Sequence, residues 1–473
     1  MSVALIRLFS NNHADLNPSY ADLWFLPLGG TGEIGMNMNL YGHAGSWLMV
    51  DCGVTFQSPL QPEYLQAPSN TTIARDMFDV VSADPSFISS RKGQLAGIVI
   101  THAHEDHIGA LPYLWQRLQC PVYTTKYTAE ILRRKLQRDN LAERMPIIEV
   151  QSGQRVDIGP FNVEWLGITH SIPEPHALVI RTEAGSIFHT ADWKIDAQPI
   201  TDKAFSAQPF RSLAKQNISA MVCDSTNALR TGHSVSESAW YQGLLELVQN
   251  APGRVVVGCF SSNIARMISL AKIAEKTGRY LALFGRSLEN TVGAAKATGH
   301  WPEDLKVIDA YHAGYLLKHE VLAVATGSQG ERQAALSQMA QDNYRNLSLE
   351  ADDLVILSSI IIPGNEKLID SMLEKFQKRK IHIVLADSHP TPIHASGHPC
   401  QDELKQMYAW VKPHIAIPTH GEPKHLVANA EMAKQSHVPR CLTGLNGDLF
   451  IIAPEHKVIK GAVKTGRIPL QQR

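Results

Sequence analysis

Cysteine is scarce in this chain: six residues in 473, at positions 52, 120, 223, 259, 400 and 441, with no CxxC pair among them. That spacing excludes a disulfide framework and a closed cysteine zinc knot. Cys52, Cys223 and Cys259 lie in or beside apolar strand-like runs and read as buried free thiols, which suits a reducing compartment. Long apolar runs are also missing. No stretch approaches the ~18 residues that a membrane span needs. The N-terminal MSVALIRLFSNNHADLNPSY shows no small-residue cleavage site after a long apolar core, so no signal peptide is read and a cytoplasmic location is expected. Charge of one sign is lacking too. There are 44 Lys+Arg against 45 Asp+Glu, a net charge of -1. This excludes a globally basic nucleic-acid coat but leaves room for a local basic groove. With 44% hydrophobic residues the chain is neither disordered nor collagen-like. At ~150 residues per domain its length suggests about three domain-sized units.

What is present is an alternation of short apolar strands with amphipathic helices. LAGIVIT (95–101) reads as a buried strand, IGALPYLWQRL (108–118) as a helix with Pro112 in its first turns, and 127–139 as a second helix. Between about 146 and 192, short strands separated by Gly and Pro turns predict an antiparallel sheet. After ISAMVCD (218–224) strands and helices alternate strictly through RVVVGCF, YLALFG, VLAVATG and LVILSS. Such repeated units predict a doubly wound parallel sheet. A third stretch from about 381 carries IHIVLAD and HIAIPTH. The Pro-, Ser- and Asp-rich segment 57–94 has the least regular pattern and reads as a long surface excursion.

The strongest chemical signal is Thr101-His102-Ala103-His104-Glu105-Asp106-His107, which follows a buried strand and opens a helix. Two His at alternate positions of an extended segment project to one side. Asp106 and His107 at a helix start point back over the preceding loop. Imidazoles and a carboxylate converging in this way suit Zn²⁺ or Mn²⁺. One loop cannot complete two metal sites. His170, Asp192 and His420 each end an apolar strand and are the candidates for the remaining ligands.

At this point the chain resembles metallo-β-lactamase-fold hydrolases of the β-CASP branch, and most closely the bacterial ribonuclease J family. The matching stretches are PLGGTGEIGMN (27–37), VDCG (50–53), THAHEDHIGALPYL (101–114), THSIPE (169–174), HTADWKID (189–196), DSTNA (224–228), FSSNIARM (260–267), GRSLEN (285–290), TGSQGE (326–331), IPGNE (362–366), HASGH (394–398) and PTHGE (418–422). The resemblance implies an αββα metallo-β-lactamase sandwich with an inserted doubly wound β-CASP domain. It divides the chain into a first metallo-β-lactamase part (1–228), the β-CASP domain (229–370) and a return segment (371–473).

By the same resemblance His102, His104 and His170 would hold one metal, Asp106, His107 and His420 a second, and Asp192 would bridge the two. Asp51 would support the metal loop. His398 would be the general acid and Asp224 its orienting partner, and Asp106 counts with them as a candidate catalytic residue. Ser262, Asn263, Arg286, Gly327, Ser328, His394 and Ser396 would contact phosphate. The turn at 326–330 is expected to precede a helix whose N-terminus favours an anion. The basic helix ILRRKLQR (131–138) reads as a solvated face that RNA could also use.

The implied activity is two-metal hydrolysis of single-stranded RNA, exonucleolytic from the 5′ end, endonucleolytic or both. The alternatives are a β-CASP DNA nuclease, a small-ester or thioester hydrolase, and a non-catalytic RNA-binding scaffold. Departures from the family pattern are Ile361 in place of Pro, Ala191 in place of Gly, and the longer insert at 57–94. The family normally continues beyond the segment resembling 446–467 into a domain that helps dimerisation. A homodimer is therefore a weakened expectation for a chain ending at Arg473.

Overall fold

A computed structural model describes residues 16–56, 80–137, 141, 143–362, 365–386 and 389–470. The reading of the first residues, most of the 57–94 insert, Arg138 in the basic helix and the centre of IPGNE lie outside the described residues.

Two large sheets pack face to face. The first has eight strands, in the order Lys457–Ile459, Leu449–Ala453, Leu23–Gly29, Met38–His43, Ser46–Val50, Leu95–Val99, Val122–Thr124 and Ile147–Glu149. The second has seven, in the order Arg440–Cys441, Ile415–Thr419, Ala220–Asp224, Gly185–His189, His176–Thr182, Phe161–Gly167 and Arg155–Ile158. Alternation along each strand sends one set of side chains into the shared interior. Phe25, Tyr41, Leu48, Val50 and Val99 from the first sheet meet Trp165, Leu178, Ile180, Val222 and Ile417 from the second. The other face of each sheet is apolar as well, and helices cover it. Leu111–Leu118 and Lys126–Leu136 lie on the first sheet's side. Gln208–Leu213, Gln401–Val411 and Pro423–Gln435 lie on the second sheet's side. The result is an αββα sandwich.

The inserted sheet has five strands, all parallel, in the order Tyr280–Phe284, Val321–Ala325, Val255–Gly258, Leu354–Leu357 and His382–Leu385. Val256, Ala323 and Val355 face one helical layer, while Val257, Val324 and Ile356 face the other. Helices on both faces are what a strand buried on both sides requires. The last strand lies beyond residue 370, where the return segment was expected to begin.

The surface excursion expected over 57–94 is corrected for its second half. Val80–Ala83 forms a three-stranded sheet with Val54–Phe56 and Arg467–Pro469, and Phe87 and Ile88 are buried. One of its two partner strands, Arg467–Pro469, comes from far along the chain, so the local pattern does not announce the sheet. Among the described residues no helix is long and apolar enough to cross a membrane.

Candidate metal centre

The strands Phe161–Gly167, Gly185–His189, Ala220–Asp224 and Ile415–Thr419 all run in one direction. Their C-terminal ends therefore share an edge, where His170, Asp192, Asp224 and His420 gather. The neighbouring parallel strands of the other sheet, Ser46–Val50 and Leu95–Val99, deliver Asp51 and the HAHEDH loop to the same place. His104 immediately precedes the short helix Glu105–Ile108, which turns Asp106 and His107 inward.

Three sets of donor atoms converge: His102, His104, His170 and Asp192; Asp106, His107, Asp192 and His420; and Asp192, Asp224, His398 and His420. The Nε2 atoms of His102 and His170 lie 3.1 and 3.0 Å from His104 Nδ1. His107 Nε2 is 3.2 Å from Asp192 Oδ2, and His420 Nε2 is 3.2 Å from Asp106 Oδ2.

The outer partners of these rings decide where their lone pairs point. His170 Nδ1 lies 2.6 Å from the Gly397 carbonyl, which can only accept, so Nδ1 carries the proton. His107 Nδ1 donates to Asp51 Oδ2 at 2.7 Å. Thr101 Oγ1 gives its own proton to Asp51 and so accepts from His102 Nδ1 at 3.0 Å. Thr226 Oγ1 donates to Asp224 and accepts from His420 Nδ1 at 2.8 Å. Each hydrogen bond leaves a lone pair on Nε2, aimed at the other ligands. Inward lone pairs beside carboxylate oxygens repel one another unless a cation lies among them. The residues thus fit divalent metal.

Electrostatics show that the centre calls for positive charge: against burial, Asp192 and its neighbouring carboxylates raise His107 and His420 well above the ordinary histidine range, so a proton on Nε2 competes with a cation for the same place. Burial, reinforced by neighbouring imidazoles, pushes His102 and His170 well below the ordinary histidine range, and it lowers His104 to about 4. Burial would also neutralise Asp192, but His420, His107 and His398 overcome it and hold its carboxyl low. His398 is the same contest with the opposite outcome for an imidazole. Burial disfavours its charge, yet Asp224 and Asp192 raise its pKa. Its Nδ1 donates to Asp224 Oδ2 at 2.8 Å, and its ring stacks 5.6 Å from that of His420.

Close approach requires glycine twice. A Cβ on Gly53 would lie 1.7 Å from the Asp106 carbonyl oxygen, and one on Gly397 would lie 2.5 Å from His170 Cε1. Asp51, Ala191 and His420 have left-handed backbones with φ of 65°, 51° and 50°. Glycine at position 191, usual in the resembling family, would relieve strain there.

The phosphate candidates fall into two groups. Gly285 and Thr326 pack so closely that a Cβ on the glycine would sit 2.5 Å from the threonine side chain, which brings exposed Arg286 beside the turn holding Gly327 and buried Ser328. That turn precedes a helix, as expected, but its own N–H groups are not the helix N-terminus. Gly330 N bonds back to the Gly327 carbonyl, the next helix is Ala335–Ala340, and residues 331–334 intervene. In the second group Asn263 caps the helix Ile264–Lys276, its side chain accepting from Arg266 N at 2.9 Å. His394 Nδ1 is engaged by Arg266 and lies 3.2 Å from the Ser358 carbonyl, while its Nε2 is buried without a partner. Ser396 Oγ accepts from Asn227 Nδ2 at 2.8 Å. The basic helix is paired rather than open, because Arg133 meets Glu149, Arg134 meets Glu130 and Lys135 meets Glu105 of the metal loop. Sequence reasoning missed Asn37, whose Nδ2 is 3.1 Å from the Asp106 carbonyl and 3.2 Å from His107 Nε2, and also Thr101 and Thr226.

Fold and site together define a metallo-hydrolase of the β-CASP kind. Residues 32–258 match the metallo-β-lactamase superfamily, 252–376 the β-CASP domain of ribonuclease J, and 391–439 the RNA specificity domain of Zn-dependent metallo-hydrolases. Ribonuclease J of Sinorhizobium meliloti is 42% identical over 451 residues, 94% of this chain and 77% of that protein. Ribonuclease J of Mycolicibacterium smegmatis is 34% identical over 445 residues, 93% of this chain and 76% of that protein. A crystal structure of a protein of unknown function from Enterococcus faecalis shares the fold, with TM-score 0.61 and 18% identity over 91% of this chain and all of that one. The chain belongs to the ribonuclease J family.

Proposed function

We propose that this protein hydrolyses phosphodiester bonds of single-stranded RNA in RNA processing or decay, by 5′→3′ exonucleolytic cleavage, endonucleolytic cleavage or both, and that it works in the cytoplasm. The observation that carries the reading is the ring of Nε2 lone pairs turned inward on Asp192, with the His398–Asp224 pair beside them. His102, His104 and His170 would hold one cation, Asp106, His107 and His420 a second, and Asp192 would bridge them; two Zn²⁺ suit this set, with Mn²⁺ an alternative. When bound, such a pair supplies an activated hydroxide and stabilises charge on the phosphoryl oxygens.

The chain's own residues do the rest. Asp51, Thr101 and Thr226 keep the ligand rings turned the right way. Asp224 holds His398 through Nδ1, which leaves the proton on Nε2 for the departing 3′-oxygen. As the water oxygen bonds to phosphorus, the bond from phosphorus to that 3′-oxygen breaks, and the product keeps a 5′-phosphate. Arg286, with Gly327 and Ser328, would receive the terminal phosphate, since a guanidinium forks onto phosphate oxygens. Ser262, Asn263 and Ser396 line the path, and His394 holds its loop. We also place the end of the inserted domain after the strand His382–Leu385 rather than at residue 370.

The test is incubation of purified protein with labelled RNA, DNA, a lactam and a thioester, with and without chelator. Chelator-sensitive RNA cleavage alone supports the reading. Cleavage of DNA or of the small esters, or RNA binding without cleavage, overturns it. Arg286→Ala should lose discrimination between 5′-monophosphate and 5′-hydroxyl RNA, and an unchanged preference removes the terminal pocket.

A further inference from the structure

We infer that Arg266 is a positioning residue for the cleavage step, the point at which the inserted domain grips the loop carrying His398. The inference rests on the reading of His398 as the general acid. Arg266 sits on Ile264–Lys276 and has no solvent exposure. Its Nη1 donates to the Ser358 carbonyl and to His394 Nδ1, the latter at 2.9 Å, and its Nη2 reaches the Ala395 carbonyl at 3.4 Å. Two of these three acceptors belong to the loop 394–398, and the third directly follows the strand Leu354–Leu357 of the inserted sheet. Glu237 Oε2 lies 3.5 Å behind the guanidinium, and the Trp240 ring lies 5.0 Å from it.

The far side of the same loop is held by the sandwich. Asn227 Nδ2 donates to Ser396 Oγ and to the His398 carbonyl, His170 donates to the Gly397 carbonyl, and Asp224 takes His398 Nδ1. The loop is thus clamped between the two domains. On the inserted side the clamp is a guanidinium.

The chemistry of the guanidinium adds a constraint. It has five donors and no acceptor, so its shorter contact makes His394 Nδ1 the acceptor at 2.9 Å, against the Ser358 carbonyl that competes for a proton on the same nitrogen at 3.2 Å. Burial, and then Arg266 itself, keep the ring neutral by lowering its pKa. His394 therefore serves as one of three acceptors for a rigid fork. Lysine brings a single ammonium and cannot serve all three in that geometry. Burying a guanidinium and a carboxylate away from water is unfavourable, so such a clamp fits a loop whose placement matters.

The experiment measures single-turnover cleavage, KM and metal content for Arg266→Lys, Arg266→Met and His398→Ala. Arg266→Lys keeps the charge opposite Glu237 and guards against a variant that merely unfolds. Each enzyme is given two RNAs, one natural and one with sulfur in place of the scissile 3′-oxygen. A thiolate departs without a proton, so the second RNA does not call on the acid. We expect both Arg266 variants to lose about 10- to 100-fold in kcat on natural RNA, the scale of a misplaced catalytic group. KM and metal content should be unchanged, and the sulfur RNA should restore the rate. If Arg266→Lys cleaves natural RNA at full rate, or stays slow on the sulfur RNA while His398→Ala recovers, the inference is overturned. If His398→Ala itself is not relieved by sulfur, the assignment of the acid is what fails.

Discussion

Lys194, Asp196, Glu237 and Arg266 make one buried charged group, and Asp51, Asp106, Asp192 and Asp224 anchor another. In the first, Lys194 lies 3.3 Å from Asp196 and 3.4 Å from Glu237, while Arg266 faces the second oxygen of Glu237. Two cations meet two anions and the sum is zero. In the second, among the described residues, the four carboxylates form ion pairs only with imidazoles, which the outer hydrogen bonds turn inward. A group that cancels itself needs nothing from outside and acts on geometry. A group left short of positive charge needs a ligand and acts on chemistry. The contrast separates buried charge that positions from buried charge that binds, without appeal to kinship.

Asp192→Ala attacks the unbalanced group at its centre, because all three donor sets use this carboxylate. RNA cleavage should fall to background, and elemental analysis should find metal lost. Next in size is His398→Ala, which lies outside the inner ligands. Rate should drop about 10²- to 10⁴-fold with metal content kept, and metal loss here would merge the acid into the metal cluster. Glu237→Gln breaks the balanced group by taking the carboxylate from Arg266 and leaving Lys194 with Asp196 alone. Thermal unfolding should report a loss of about 3–5 kcal/mol, part of which Lys194→Met should restore in the double variant by returning the sum to zero. Asp51→Asn removes the partner of His107 and Thr101. Metal affinity, read by competition with a chelating dye, should weaken about 10- to 100-fold, and no weakening would show that His107 needs no outer partner. The smallest effect belongs to Ala191→Gly. Relief of the left-handed backbone should raise stability by no more than about 1 kcal/mol, measured as a small rise in Tm, and a fall in Tm would mean the strain is absent.

Much of the site was legible because its residues are local or end apolar strands. The HAHEDH loop declares itself by alternation followed by a helix start, and His170, Asp192 and His420 each close a strand-like run. The residues that orient them were not legible. Asn37, Thr101 and Thr226 are ordinary polar residues whose roles exist only once distant segments meet, as Thr226 meets His420 across 194 positions. The parallel inserted sheet followed from strict alternation, whereas the membership of His382–Leu385 in it did not, since sheet order is a non-local fact. The turn 326–330 looked like a helix start because Gly-rich turns often are. Here two positive-φ glycines fold it back on itself before the helix begins. Arg266 was invisible as a clamp, being one cation in a helix with an apolar face.

Strand Leu449–Ala453 lies against Leu23–Gly29, and Arg467–Pro469 against Val80–Ala83. His420, bonded through its backbone N–H to the Gly30 carbonyl, completes a centre begun by residues near 100. During synthesis the first sheet must therefore wait for Leu449–Ala453 before the strand Leu23–Gly29 has both its neighbours. Such distant pairing slows folding, and here it also sets a timetable. A growing polypeptide that has not yet reached His420 holds His102, His104 and Asp106 but not the whole ligand set, so up to that point its cutting site is unfinished.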